Sequence, residues 1–70
     1  MLGKRVRLVN AHAMHPQPVW DLIGEEGTVQ GHDVTVKEVN NRNVFTDIWL
    51  VAFDSGAKIW SKKKYLEVIE

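Results

Sequence analysis

The sequence predicts an all-β protein: a small five-stranded antiparallel barrel with a long first loop and a one-turn 3₁₀ helix before the last strand. Three observations carry this expectation. Gly3 to Val9 alternates, with Val6 and Leu8 on one face and Arg5 and Arg7 on the other; a period of two marks a half-buried strand. Val44 to Trp60, VFTDIWLVAFDSGAKIW, reads as a hairpin. Val44, Phe45, Ile48, Trp49, Val51 and Phe53 are β-branched or aromatic, Asp54-Ser55-Gly56 is a turn signal, and Ala57 to Trp60 forms the return strand. Finally, no segment carries a long helical pattern, and no repeat or linker divides the 70 residues, so one domain over residues 1–70 is expected.

The remaining elements follow in order. Asn10 to Pro18, NAHAMHPQP, holds both prolines, which block a regular helix or central strand. It reads as a long loop whose end, through Val19, Trp20, Leu22 and Ile23, tucks back onto the core. Gly24 to Gln30 is a turn leading into a strand, with Gly27 where a side chain would clash or where φ is positive. Gly31 marks a bulge or bend in that strand, and Val34, Val36 and Val39 continue it opposite Thr35 and Lys37. Asn40-Asn41-Arg42-Asn43 is a hairpin turn, because asparagine tolerates left-handed backbone. Ser61 to Lys64 reads as the 3₁₀ turn and Tyr65 to Ile69 as the last strand. The expected core is Val6, Leu8, Val29, Val51, Phe53, Leu66 and Val68. A hairpin as apolar as Val44–Trp60 has to be covered, and the other strands are expected to wrap around it.

Composition narrows the function. Nine Lys plus Arg against nine Asp plus Glu give zero formal net charge, so the chain as a whole exerts no long-range pull on polyanions. No cysteine is present, which excludes disulfides and thiolate zinc sites and suggests a reducing, cytoplasmic setting. The N-terminal stretch MLGKRVRLVN has no signal-peptide core, and no apolar run is long enough to cross a membrane.

The order of signals resembles the Src-homology-3-like small barrels: GKRVRLV, a long first loop, G-x-x-G-T-V, the W-x-V-x-F-D-x-G hairpin and a one-turn helix before LEVI. Within that fold, GKRVRLV followed by GEEGTV resembles the KOW-type modules of transcription-elongation and ribosomal proteins, although the loop from Asn10 to Ile23 is longer than those modules usually carry. WLVAFDSG resembles Tudor-type chromatin readers, which use an aromatic cage. GKRVR and KIWSKKKYLEVIE resemble the plasmid-borne type II dihydrofolate reductases, which are tetramers. Lys58 stands at the position of their active-site glutamine and Trp60 at that of their tyrosine, so their substrate-binding pattern is not met.

Basic residues cluster toward the chain ends: Lys4, Arg5 and Arg7, then Lys58, Lys62, Lys63 and Lys64. If the first and last strands are neighbours, these form one positive surface, with Trp60 or Tyr65 available for stacking. The competing reading is a set of solvated charges offset by Asp54, Glu67 and Glu70. Trp20 joins Trp60 as a candidate binding aromatic, against a role in packing. Ile48, Leu50 and Ala52 form a second apolar face on the strand that carries Trp49, Val51 and Phe53, the mark of a partner surface or a homo-oligomer contact. His12 and His15, with His32 further on, could chelate a metal, but no carboxylate lies close to the His12–His15 pair, and they read as loop histidines, not metal ligands. Asp21, Glu25 and Glu26 have no nucleophile or oxyanion site beside them, and Ser61 has no catalytic context. No cofactor is implied.

The leading expectation is a non-catalytic module that binds nucleic acid or a component of the transcription or translation machinery. The alternative is a phage- or plasmid-type accessory barrel that docks on a host protein through the loop Asn10–Ile23 and the apolar face. A further alternative is an oligomeric enzyme resembling the type II reductases.

Overall fold

A computed structural model describes residues 1–69. It contains β1 (Arg5–Leu8), a single helical turn α1 (Gln17–Trp20), β2 (Glu26–Val39), β3 (Arg42–Phe53), β4 (Lys58–Ser61), a 3₁₀ turn (Lys63–Tyr65) and β5 (Leu66–Val68). The strands form one antiparallel sheet in the order β4-β3-β2-β1-β5. The all-β expectation, the five strands, the long first loop and the 3₁₀ turn before the last strand all hold. Closure does not: β4 and β5 are the two edges of the sheet and do not pair with each other. The 3₁₀ turn lies against both β3 and β5, and its Tyr65 is buried in the core.

Cross-strand register assigns the faces. Val6, Gly27, Phe53, Val29, Val51, Ile59, Leu8 and Leu66 fall on the inner face. Val6, Leu8, Val29, Val51, Phe53, Tyr65 and Leu66 make the buried core, with Met1, Val19, Leu22, Trp49, Ala57 and Ile59 packed against it. Val68 is the exception to the expected core. It shares the inner face with its partner Val6 but sits at the end of an edge strand, where nothing covers it, and is 45% exposed. Ile23 is likewise exposed, so of the loop's end only Val19 and Leu22 reach the core as expected. The two prolines do not prevent a helical turn: Pro16 precedes it and Pro18 occupies its first positions, where a missing N–H costs nothing. The segment around Tyr65 also shifts, since Tyr65 ends the 3₁₀ turn and belongs to the core, not to the last strand.

Two glycines shape the long hairpin. A Cβ on Gly27 would stand 2.5 Å from the Ala52 carbonyl oxygen, so only glycine lets β2 and β3 approach here. At Gly31 the register shifts: Val29 faces Val51, but Gly31 faces Leu50, leaving Gln30 as the extra residue of a bulge. The bulge changes the parity of β2. Val34 and Val36 therefore share the inner face with Val29, while Val39 pairs with Arg42 on the outer face alongside Thr35 and Lys37. Asn40 and Asn41 both take positive φ, 51° and 62°, the conformation of a two-residue type I′ turn. The turn is thus tighter than Asn40–Asn43, and Arg42 and Asn43 already belong to β3.

Beyond the bulge the hairpin leaves the rest of the sheet. β1 pairs with β2 only up to Thr28, and β4 pairs with β3 only from Trp49 to Ala52. Residues 31–48 therefore form a two-stranded arm, which gives the molecule its long dimension of 40 Å against 26 and 17 Å.

Candidate functional site

The arm is the unusual surface of the molecule. Residues 32–45 are all exposed, although five of them are large and apolar: Val34 at 42%, Val36 at 58%, Val39 at 42%, Val44 at 46% and Phe45 at 66%. A row of cross-strand pairs lines its inner face, with His32 opposite Trp49, Val34 opposite Asp47 and Val36 opposite Phe45. At the base of the row the His32 ring lies 4.3 Å from the ring of Trp49 in the body, and within the arm His32 Nε2 is 2.8 Å from Asp47 Oδ1. Where β4 ends, the chain turns away from β3. That leaves an open groove lined by Phe45, Thr46 and Asp47 on one side and Lys62, Lys63 and Lys64 on the other.

The basic residues do not merge into one positive surface. β1 and β5 are neighbours as expected, but β4, which carries Lys58 and Trp60, is separated from β1 by β2 and β3. The β1 cations are moreover already engaged. The Arg5 guanidinium donates to both carboxylate oxygens of Asp54 at 2.8 and 2.7 Å and to Thr28 Oγ1 at 3.1 Å. Arg7 donates to Glu26 at 3.1 Å. The hydrogen bonds and charge of Arg5 hold the Asp54 carboxyl below the ordinary aspartate range. Lys4 and Lys58 are exposed. Glu70, the third acid expected to offset the basic residues, lies outside the described residues.

Lys62, Lys63 and Lys64 are different: among the described residues they form no ion pair. The Lys64 ammonium sits 5.1 Å from the centre of the Tyr65 ring. Trp20, on α1, is half-buried. Trp60 is 45% exposed on the outer face, paired with Leu50, and its ring would stand 3.6 Å from a Cβ on Gly31. Ile48, Leu50 and Ala52 are half-buried on that face, Leu50 opposite Trp60. His12 and His15 are occupied with their own loop: His15 Nδ1 accepts from the His12 N–H and His12 Nδ1 from the Met14 N–H. No group of three His, Cys, Asp or Glu side chains is placed to share a metal ion among the described residues. No helix of the described residues is long and apolar enough to cross a membrane.

Sequence reading assigned Lys62–Lys64 to the site but missed the arm. The valines and Phe45 of residues 34–45 carry the same β pattern as buried strands. The signal that finds the arm is the absence of any other segment long enough to cover it.

No protein-family model matches the chain, and no curated protein matches it. Among solved structures, the chain is similar to the solution structure of the cyanobacterial cytochrome b6f complex subunit PetP. The TM-score is 0.72 and the identity 20%, over 100% of this chain and 80% of that one. A likeness at this identity is one of fold. The nucleic-acid reading is corrected here, and the KOW likeness that motivated it has no family match behind it. That structure is of a subunit of a protein complex, and Arg5 and Arg7, expected in the positive binding surface, are paired with Asp54 and Glu26.

Proposed function

We propose that this chain is a non-catalytic docking module, a small accessory subunit that attaches to a larger protein through the β2–β3 arm. The observation that carries the reading is the set of apolar side chains on the arm, Val34, Val36, Val39, Val44 and Phe45, none of which packs against the core. A two-stranded ribbon is marginal on its own in water, and exposed apolar neighbours such as Val34, Val36 and Phe45, which share its inner face, mark an interaction site. That the fold occurs in a subunit of the cytochrome b6f complex supports a subunit role here. The strand order, the long first loop and the 3₁₀ turn before β5 support reading the fold as an open variant of the Src-homology-3-like barrel.

The test is affinity capture from host lysate, with nuclease treatment, using the wild-type chain and the double variant Val36→Asp/Phe45→Asp. The expected result is a discrete protein partner that survives nuclease and is lost with the double variant, while the variant keeps the wild-type melting temperature. Capture that nuclease abolishes, or that the double variant retains, contradicts the reading.

A further inference from the structure

We propose that the free edge of β3 at Asn43, Phe45 and Asp47 receives an extended, acidic segment of a partner protein, which adds to the sheet as a strand in line with β4. The inference rests on the docking role above and specifies how the partner is held.

Backbone alternation places the acceptor groups. The Phe53 N–H donates to the Ala57 carbonyl, on the β4 side of β3. In an antiparallel strand the groups facing one neighbour recur at every second residue, so Val51 and Trp49 also face β4. Asp47, Phe45 and Asn43 face the same side beyond the last β4 partner, Ser61 opposite Trp49. The type I′ turn gives the same parity from the other end, since it makes Val39 and Arg42 a hydrogen-bonded pair and points Arg42, Val44 and Thr46 at β2. Three residues of β3 thus present their N–H and C=O groups on this side, two of them, Phe45 and Asp47, in the groove. An unpaired edge of this kind is a template for a further strand.

Three observations select this edge and its ligand. The other edge of the arm, on β2, is already blunted: the Val34 N–H is taken by the Asp33 carboxylate at 2.8 Å. Lys62, Lys63 and Lys64 line the β3 groove with no ion pair among the described residues, so the complementary ligand carries carboxylates. The one carboxylate in the groove, Asp47, is turned to His32. Phe45, 66% exposed at the centre of the edge, offers an apolar contact to alternate side chains of the incoming strand. A second copy of this chain is the poorer occupant, because pairing two β3 edges brings two lysine clusters together.

The experiment titrates the ¹⁵N-labelled chain with a capped eight-residue peptide of alternating valine and glutamate. Capped octaglutamate and alternating valine–lysine peptides serve as controls. Saturable shifts at Asn43, Phe45 and Asp47, with slowed amide exchange there, are expected for the first peptide only. Lys62→Gln/Lys63→Gln/Lys64→Gln is expected to weaken that binding by about tenfold or more. Asn43→Pro removes an edge donor that β2 does not use, and is expected to weaken binding while leaving Val36 and Phe45 in place. The proposal is overturned by the absence of saturable binding, by shifts mapped elsewhere, by equal binding of octaglutamate, or by concentration-dependent dimerisation through this edge. If Asn43→Pro retains the captured partner that Val36→Asp/Phe45→Asp loses, strand addition is wrong and docking by the arm's side chains stands.

Discussion

The two halves of the β2–β3 hairpin share a strand pattern but not a fate. At the base, Val29, Val51 and Phe53 are at most 4% exposed, covered by β1, β5 and the 3₁₀ turn. In the arm, Val36 and Phe45 pair across the same two strands, on the same face, at 58% and 66%. Strand pairing, face and residue type are shared, so strand propensity cannot account for the difference. What differs is whether another part of the chain lies on top. The apolar residues at the base stabilise the fold, and those of the arm are the ones the proposed docking would cover.

Substitutions separate the two regions. Phe53→Ala is expected to cost about 3–5 kcal/mol, the range for a buried aromatic, and in so small a domain to leave much of the chain unfolded at ordinary temperature. Chemical denaturation reads this directly; a variant as stable as wild type would place Phe53 outside the core. Gly27→Ala follows, at about 1–3 kcal/mol for forced repacking, because its Cβ would meet Ala52 backbone rather than a side chain that can swing away. Unchanged stability in a thermal melt would mean that the strands are farther apart than described.

The same contrast explains what the sequence discloses. The body is legible because alternation in GKRVRLV and in WLVAF names its inner faces, and because Gly31 and the Asn40-Asn41 pair announce the bulge and the turn by their backbone requirements. Burial is not legible from pattern. Val34 and Val36 look like Val29, and Val68 looks like Leu66, yet nothing in the local sequence says which of them will be covered. The expectation that the whole stretch Val44–Trp60 is wrapped fails for this reason: Trp49, Val51, Phe53, Ala57 and Ile59 reach the core, and Val44 and Phe45 do not. Arg5 and Arg7 were visible as outward cations, but their pairing with Asp54 and Glu26 depends on long-range register that composition cannot supply.

A smaller effect tests the body's polar surface. Because the folded-state pKa of Asp54 is depressed by Arg5, the pair contributes stability above the unfolded-state aspartate pKa. That contribution is lost as pH falls through the lower folded-state value. Asp54→Asn should therefore narrow the stability difference between neutral and strongly acidic solution, measured as the denaturation midpoint against pH. A variant whose acid profile matches wild type would show that the bridge contributes nothing, as many exposed pairs do. The smallest expected change is in the arm. Val36→Ala and Phe45→Ala should each move stability by no more than about 0.5 kcal/mol; a loss comparable to that of Phe53→Ala would erase the distinction between the regions.

Amide hydrogen exchange on the free chain and on its complex with the captured partner reads the body and the arm separately. In the free chain the amides of Val29 and Val51 should exchange only through global unfolding, while those of Asn43, Phe45 and Asp47 exchange rapidly. In the complex the arm should gain protection and the body should change little. Arm amides already protected in the free chain, or left unprotected when the partner is bound, would contradict the assignment of the fold to the body and of docking to the arm.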